Sequence, residues 1–351
     1  MNPVKIGISI GDVNGIGLEV VLKTLSHKQI LNQCSPIIYG STKVVAYYKK
    51  MLNLTDFKYS SIREGEPVRP GRIYVVNCWE EDVKINVGVT SEEGGKLATI
   101  SLDTAVRDLQ AGTIDGLVTA PINKESMKLS GFAYPGHTEY LADKLDQQNH
   151  LMCLINNDLR VALVTNHESI KDVAPLIQAD RIKAKLKTFE RTLIQDFGIE
   201  KPTIAVLGLN PHAGDGGVIG EEENDIIRPI IIEAKKKGKL FFGPYSADGF
   251  FGSGNYKKFD GILAMYHDQG LVPFKLLAFG QGVNFTAGLP FVRTSPDHGT
   301  GFEIAGKNMA DASSFQKALF QAVDLIRNRS AYVTDRENKL KIKAKPPQKK
   351  K

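Results

Sequence analysis

Short apolar runs and longer amphipathic stretches take turns along this chain. VKIGISI at residues 4–10 is followed by a helix-like stretch over 17–32, PIIYG at 36–40 by TKVVAYYKKML, and RIYVVNC at 72–78 by a helical pattern over 96–110. The rhythm continues with DGLVTA at 115–120, LMCLI at 151–155, RVALVTN at 160–166, a helix over 180–196, TIAVLGL at 203–209, a helix over 223–238, GILAMY at 261–266 and GVNFTAG at 282–288. SSFQKALFQAVDLIRNR, residues 313–329, predicts a closing helix. Apolar runs of about four to eight residues bounded by turn formers read as buried strands, and their alternation with helices is the βαβ pattern of a mostly parallel sheet. An α/β protein is expected. No internal repeat and no low-complexity linker interrupts the pattern before the C-terminal lysines.

Parallel α/β sheets bind ligands beyond the carboxyl ends of their strands, so the residues that follow each run come next. RVALVTN is followed by His167, TIAVLGLNP by His212 and GILAMY by His267. Neutral imidazoles on rigid strand ends can converge on one divalent cation and leave coordination positions open for a substrate. Equally, they can line different edges of a sheet and never meet, each satisfied by backbone. DGLVTA runs into PINKESM, where Asn123 is a candidate helix cap and Lys124 stands at a helix start. YPGHTEYLADKL places His137 and Thr138 at another helix start, where backbone N–H groups favour an anion; Thr138 as a plain cap is the simpler alternative. Lys275, Asn284 and Arg293 add polar and cationic groups suited to a carboxylate or phosphate. The glycine turn GDVNGIGLEV has the spacing of neither a dinucleotide fingerprint nor a P-loop.

Composition narrows the function classes. The 351 residues suffice for two domains of ordinary size, and 42% hydrophobic with 24% charged residues is the balance of a globular protein. The net charge of +6 invites a nucleic-acid reading, but residues 339–351 hold seven lysines and no acid; without them 38 basic residues face 39 acidic ones, a net of −1. The body is electrostatically balanced, and nucleic acid is not an expected partner. No run approaches the ~20 apolar residues of a membrane span, and the N-terminus reads directly into a strand, so a cytoplasmic protein without membrane contact is expected. Cys34, Cys78 and Cys153 are far apart and form no CxxC, which predicts inert thiols rather than disulfides or a thiolate metal site.

Taken together, VTAPINK, GHTEYLA, VTNH, NPHAGDGG, YHDQGLVPFK and GVNFTAGLPFVRTSPDHGT resemble the motifs of the 4-hydroxythreonine-4-phosphate dehydrogenase family of pyridoxal 5′-phosphate (vitamin B6) biosynthesis. The similarity extends to about residue 330. The resemblance implies an isocitrate/isopropylmalate dehydrogenase-like fold of two α/β/α domains, here 1–125 with 290–332 and 126–289, with the active site in the cleft between them; residues 333–351 lie outside it, and their lysine- and proline-containing composition predicts a basic, disordered tail. It also implies a homodimer that shares its active sites, with a divalent metal (Zn, Co, Ni, Mn or Mg) held by three histidines drawn from both subunits, matching His167, His212 and His267. Substrate positions carry over to His137, Thr138, Lys275, Asn284 and Arg293. HGTGFEIAGKN, residues 298–308, would lie near the adenosine of NAD or NADP, with His298, Gly299, Thr300 and Asn308 as cofactor contacts. Two departures stand out: the first loop commonly reads GDPAGIG and here has Val13 and Asn14, and the cofactor loop usually has an Asp-Ile-Ala-Gly run where Glu303 stands here.

The implied reaction is metal-assisted oxidation of a small phosphorylated amino acid, 4-phosphohydroxy-L-threonine, at its secondary hydroxyl. The β-keto acid product, 2-amino-3-oxo-4-(phosphooxy)butanoate, then decarboxylates to 3-amino-2-oxopropyl phosphate. Asp248 and Asp268 are candidates to orient the metal-binding imidazoles. Lys275 is assigned mainly to anion binding, with proton donation as its other possible role. A related dehydrogenase of another hydroxy acid, or a metal-dependent phosphate-ester hydrolase, are the alternatives.

Overall fold

The computed structural model describes residues 3–147, 149–278 and 280–337. In chain order the strands are β1 (Val4–Ser9), β2 (Cys34–Gly40), β3 (Ser60–Ile62), β4 (Tyr74–Asn77), β5 (Gly116–Thr119), β6 (Leu151–Ile155), β7 (Arg160–Leu163), β8 (Ile204–Leu207), β9 (Phe241–Tyr245), β10 (Gly261–Ala264), β11 (Val283–Ala287) and β12 (Val292–Pro296). The helices are α1 (Gly17–Leu25), α2 (Thr42–Met51), α3 (Glu92–Gln110), α4 (Lys124–Leu129), α5 (His137–Lys144), α6 (Ile170–Leu176), α7 (Ala179–Gln195), α8 (Arg228–Lys236), α9 (Ala247–Gly252), α10 (His267–Ala278) and α11 (Ser313–Glu337).

All twelve strands join one sheet in the order β3-β4-β2-β1-β5-β12-β11-β6-β7-β10-β8-β9. The expected mostly parallel α/β architecture is present; antiparallel pairing is confined to β12–β11, β11–β6 and β6–β7. These three antiparallel pairings lie in the middle of the sheet and join its two parallel-paired flanks. The central strands are buried along nearly their whole length, as β2, β5, β6 and β8 illustrate, because helices cover both faces.

Local signals place many element ends. Asn123 accepts from the Ser126 N–H at 2.8 Å and caps α4, as its position suggests. Ser91 caps α3 through the Gly94 N–H, which starts that helix four residues before the expected Lys96. The helix expected over 17–32 instead breaks at His27, whose extended backbone (ψ 103°) separates α1 from a 3-10 turn over Lys28–Asn32. Thr138 is no cap: Gly136 occupies the N-cap of α5, and Thr138 is turned into the protein.

Elements without a hydrophobic signature escape the pattern reading. β12, VRTSP, is buried at every position yet mostly polar, and β9 contains a proline. Pro175 and Pro273 lie inside α6 and α10 and read as helix breakers. α11 runs to Glu337, five residues into the segment expected to be a disordered tail; the rest of that segment lies outside the described residues. Cys34 and Cys153 are buried and Cys78 partly so, all as free thiols, and burial pushes the Cys34 and Cys78 thiols up to about 12. Among the described residues, no helix is long and apolar enough to cross a membrane.

Candidate active site

Where β5 and β12 end beside β11, a cleft of about 330 Å³ opens. Arg293 on β12 forms its floor. It is 3% exposed, and its Nε and Nη2 both donate to the Thr119 hydroxyl (3.2 and 2.6 Å) while Nη1 donates to the Thr286 hydroxyl at 3.1 Å. No carboxylate forms an ion pair with this guanidinium among the described residues, and burial pushes its pKa down to about 10. A buried cation held only by neutral hydroxyls is incompletely compensated and favours a bound anion.

His137 and Thr138, at the start of α5, line the same cleft. Thr138 Oγ1 lies 3.4 Å from Thr286 Oγ1, which links the helix start to the arginine's own support. Burial, with a smaller contribution from the Arg293 charge, holds the His137 imidazole well below its ordinary pKa, so it is neutral near pH 7. Lys275, from α10, reaches in with Nζ 3.3 Å from Asp297 Oδ1, and Asn284 presents a buried Oδ1 without a hydrogen-bond partner among the described residues. His298 and Gly299 close the rim.

His167 stands where this cleft meets a neighbouring one of about 290 Å³ that also contains His267 and Asp268. The two imidazole centroids are 5.8 Å apart. His167 Nδ1 faces Glu139 Oε1 at 3.8 Å, and His267 Nδ1 faces Asp268 Oδ1 at 2.7 Å. The His167 imidazole keeps the Glu139 carboxyl below the ordinary carboxylate range. A carboxylate at Nδ1 is the arrangement that turns Nε2 outward as a metal donor.

The position of His267 follows from packing beneath it. A Cβ at Gly270 would fall 2.9 Å from both Leu163 Cδ2 and Val161 Cγ1, so glycine lets the first turn of α10 press onto β7. Gln269 accepts from the Met265 N–H at 2.7 Å and donates to the Gly208 carbonyl at 2.6 Å, tying the end of β10 to the end of β8.

His212 lies on the far side of β10, in a tight turn over Pro211–Gly217. Five consecutive residues there, His212 to Gly216, adopt left-handed backbone, three of them not glycine. Such residues cost about 1–2 kcal/mol each in isolation. Buried Glu223 offsets this by accepting the N–H groups of Leu209 and Asn210 (2.6 and 2.8 Å). Asp248, at the start of α9, accepts from the Ser246 hydroxyl and the Gly249 N–H; these bonds, with the nearby His212, hold its carboxyl below the ordinary range. Thus the three strand-end histidines divide into His167 with His267, and His212 with Asp248. Among the described residues, no group of three or more His, Cys, Asp or Glu side chains is disposed to hold a metal within one chain.

Thr300 and Asn308 lie outside the cleft lining. The Thr300 carbonyl accepts from Ile16 N–H at 2.9 Å, and the Asn308 carbonyl accepts from Lys23 Nζ at 3.1 Å. Sequence reading passed over Thr119, Thr286, Glu139, Asp297 and Gln269. Thr119 ends the otherwise apolar β5, Thr286 lies near the end of β11 on the strand that also carries Asn284, and Glu139 falls two residues after His137. These signals gain meaning only once the strands are ordered.

Comparison with known proteins finds relatives that span nearly the whole chain. The family described as Pyridoxal phosphate biosynthetic protein PdxA matches residues 32–322. The 4-hydroxythreonine-4-phosphate dehydrogenase of Bacteroides thetaiotaomicron is 50% identical over 97% of this chain and 93% of its own. That of Sulfurihydrogenibium sp. is 44% identical over 93% of this chain and 99% of its own. The crystal structure of 4-hydroxythreonine-4-phosphate dehydrogenase from Klebsiella pneumoniae superposes with a TM-score of 0.77 at 32% identity, covering 92% of this chain and 99% of that one.

Proposed function

Because the chain belongs to the pyridoxal phosphate biosynthetic protein PdxA family, we propose that it oxidises 4-phosphohydroxy-L-threonine with NAD in vitamin B6 biosynthesis, using a divalent cation. The observation that carries the reading is buried Arg293, without a carboxylate partner among the described residues, in one cleft with His137, Thr138, Lys275, Asn284 and His167.

The substrate has a phosphate, a carboxylate and a secondary hydroxyl between them. Arg293 and Lys275 supply the positive charge for its anionic groups, and neutral His137 with the Thr138 hydroxyl donates hydrogen bonds without adding charge. The Asn284 Oδ1 offers an unused acceptor to the substrate's ammonium group. Imidazole donors backed by carboxylates, as at His167 and His267, fit a borderline cation such as Zn, Co, Ni or Mn; the same positions tolerate Mg less well. When bound, the cation supplies Lewis acidity toward a hydroxyl oxygen and NAD (or NADP) supplies the hydride acceptor.

In the reaction, the C–H bond at the hydroxyl-bearing carbon breaks with both electrons leaving as hydride, and the hydroxyl proton is lost. The resulting β-keto acid loses CO₂ as the C–C bond electrons move into the ketone. Lys275, within reach of Asp297, holds the anion and is also positioned to return a proton to the product carbon. The loop 298–308 receives the nucleotide, with His298 and Gly299 at its cleft end.

One chain brings two of the three strand-end histidines together, His167 and His267, so the reading includes a homodimer in which a second copy supplies the third ligand, with His212 and Asp248 as the donors that remain. Support comes from apolar side chains left exposed beside both halves: Val218 (82% exposed) and Ile219 after His212, and Val272, Leu276 (75%) and Leu277 on α10. The same reading places the protein in the cytoplasm, where the biosynthetic substrate and NAD are available.

The test is formation of reduced nicotinamide from 4-phosphohydroxy-L-threonine, NAD and added divalent cation. Signal that disappears with chelator and in His212→Ala is expected. A folded wild type that forms no reduced nicotinamide with any cation would overturn the substrate; turnover of another hydroxy acid would redirect it, and phosphate release would indicate hydrolysis.

A further inference from the structure

α1 touches residues 298–310 at both ends of that segment. At the near end Ile16 N–H donates to the Thr300 carbonyl at 2.9 Å, and Gly15 packs so closely that a Cβ there would fall 2.9 Å from the same oxygen. At the far end Lys23 Nζ donates to the carbonyls of Asn308 (3.1 Å) and Ala310 (2.9 Å), and its third partner is Glu19 Oε1 at 2.8 Å. Glu19 is fully buried, and the same Oε1 accepts the Ala310 N–H at 2.8 Å. The three donors of the ammonium therefore meet three acceptors, and the helical i, i+4 spacing of Glu19 and Lys23 presents carboxylate and ammonium to one backbone turn.

That turn needs an anchor. Asn308 has left-handed backbone (φ 57°) without being glycine, and Gly301 and Gly306 also have positive φ. Between the anchors the segment is held by single-turn bonds such as Ile304 N–H to the Gly301 carbonyl and Lys307 N–H to the Ile304 carbonyl. A loop with few regular hydrogen bonds takes its conformation from its fixed points.

We propose that the Glu19–Lys23 pair is a clamp that sets the far end of the nucleotide loop, making Lys23 a positioning residue for NAD and not for the phosphorylated substrate. The inference rests on the reading of 298–308 as the nucleotide loop. Loosening the clamp lowers the fraction of molecules with a binding-ready loop, and apparent NAD affinity falls by that fraction. The anion cleft around Arg293 is built on β5, β11 and β12 and keeps its geometry.

The experiment compares wild type with Glu19→Gln/Lys23→Met. This double variant retains an acceptor for the Ala310 N–H, leaves no buried charge unpaired and removes the ammonium's bonds to Asn308 and Ala310. Lys23→Arg, which keeps the charge opposite Glu19 but alters the donor geometry toward Asn308 and Ala310, is the milder arm and keeps the test open if the double variant fails to fold. With divalent cation present, NAD titration is expected to show affinity weakened about tenfold in the double variant and about threefold in Lys23→Arg. The kcat at saturating NAD and the KM for 4-phosphohydroxy-L-threonine should stay within about twofold of wild type. Hydrogen exchange should quicken in 298–310 and not in 283–296. Unchanged NAD affinity, or an equal loss of affinity for both ligands, would overturn the clamp. Failure of NAD to protect 298–310 in the wild type would instead overturn the nucleotide-loop reading on which it stands.

Discussion

The Arg293 guanidinium places two of its nitrogens on a single oxygen, the hydroxyl of Thr119, at 3.2 and 2.6 Å. Both side chains are buried, on neighbouring strands, and the arginine's planar fork is aimed by this contact and by Thr286. Arg293→Lys keeps the charge but not the fork. It is expected to lower kcat/KM about 10- to 100-fold, mainly through KM for the phosphorylated substrate. Thr119→Val, isosteric but without the acceptor, should cost about 1–3 kcal/mol of stability, read from urea unfolding. An Arg293→Lys enzyme with wild-type KM would remove the arginine from the substrate.

Asp268 holds His267 through the 2.7 Å contact at Nδ1. Asp268→Asn should weaken divalent-cation affinity about 10- to 100-fold while the fold is retained. Titration with cobalt, followed by its visible absorption, reads this directly. Equal cobalt affinity in the two proteins would leave the carboxylate without a part in metal binding.

A pH dependence of stability follows from His137. Burial, and then the charge of Arg293, lower its folded-state pKa below the ordinary 6.5. As pH falls below about 6.5 the unfolded chain takes up a proton that the folded chain refuses, so stability is complete above that pH and declines as pH drops toward the folded value. His150, lowered by burial and by Lys185, adds a slope of the same sign. Urea midpoints measured between about pH 7 and 5.5 should therefore fall, and His137→Gln should make the decline shallower. A bound phosphate monoester, by adding negative charge, should raise the His137 pKa in an NMR titration.

Asn14 joins two loops. Its Oδ1 accepts the Asn86 N–H at 2.8 Å, its Nδ2 donates to the Val89 carbonyl and the Ser91 hydroxyl, and its own carbonyl accepts from Gly88. It is 1% exposed, so Asn14→Ala removes a buried amide together with the partners of the part-buried Asn86 N–H and Val89 carbonyl, and should destabilise the protein by about 1–2 kcal/mol. A thermal midpoint equal to wild type would mean that the loops hold together without it.

Local pattern was enough for most of the sheet and for the placement of chemistry along it. The apolar runs of β1, β5, β6, β8 and β10, the cap at Asn123 and the start of α5 at His137 follow from interactions within a few residues, which a sequence displays directly. So does the recurrence of histidine after β7, β8 and β10, because a strand end is a local feature.

What those residues meet is another matter. Arg293 reaches Thr119 across 174 positions because β12, a polar strand without a hydrophobic period, is inserted between β5 and β11. Glu139 reaches His167, and Lys23 reaches Asn308 across 285 positions, for the same kind of reason. α10 was hidden by Pro273, and the left-handed turn that displays His212 is entered through Leu209 and Asn210, whose N–H groups are held by distant Glu223. By itself the sequence determined which short segments become strands and helices and where their polar ends fall, since these depend on neighbours along the chain. Only the tertiary structure decided which ends share a cleft, because strand order and buried side-chain hydrogen bonds are set by packing between segments far apart in sequence.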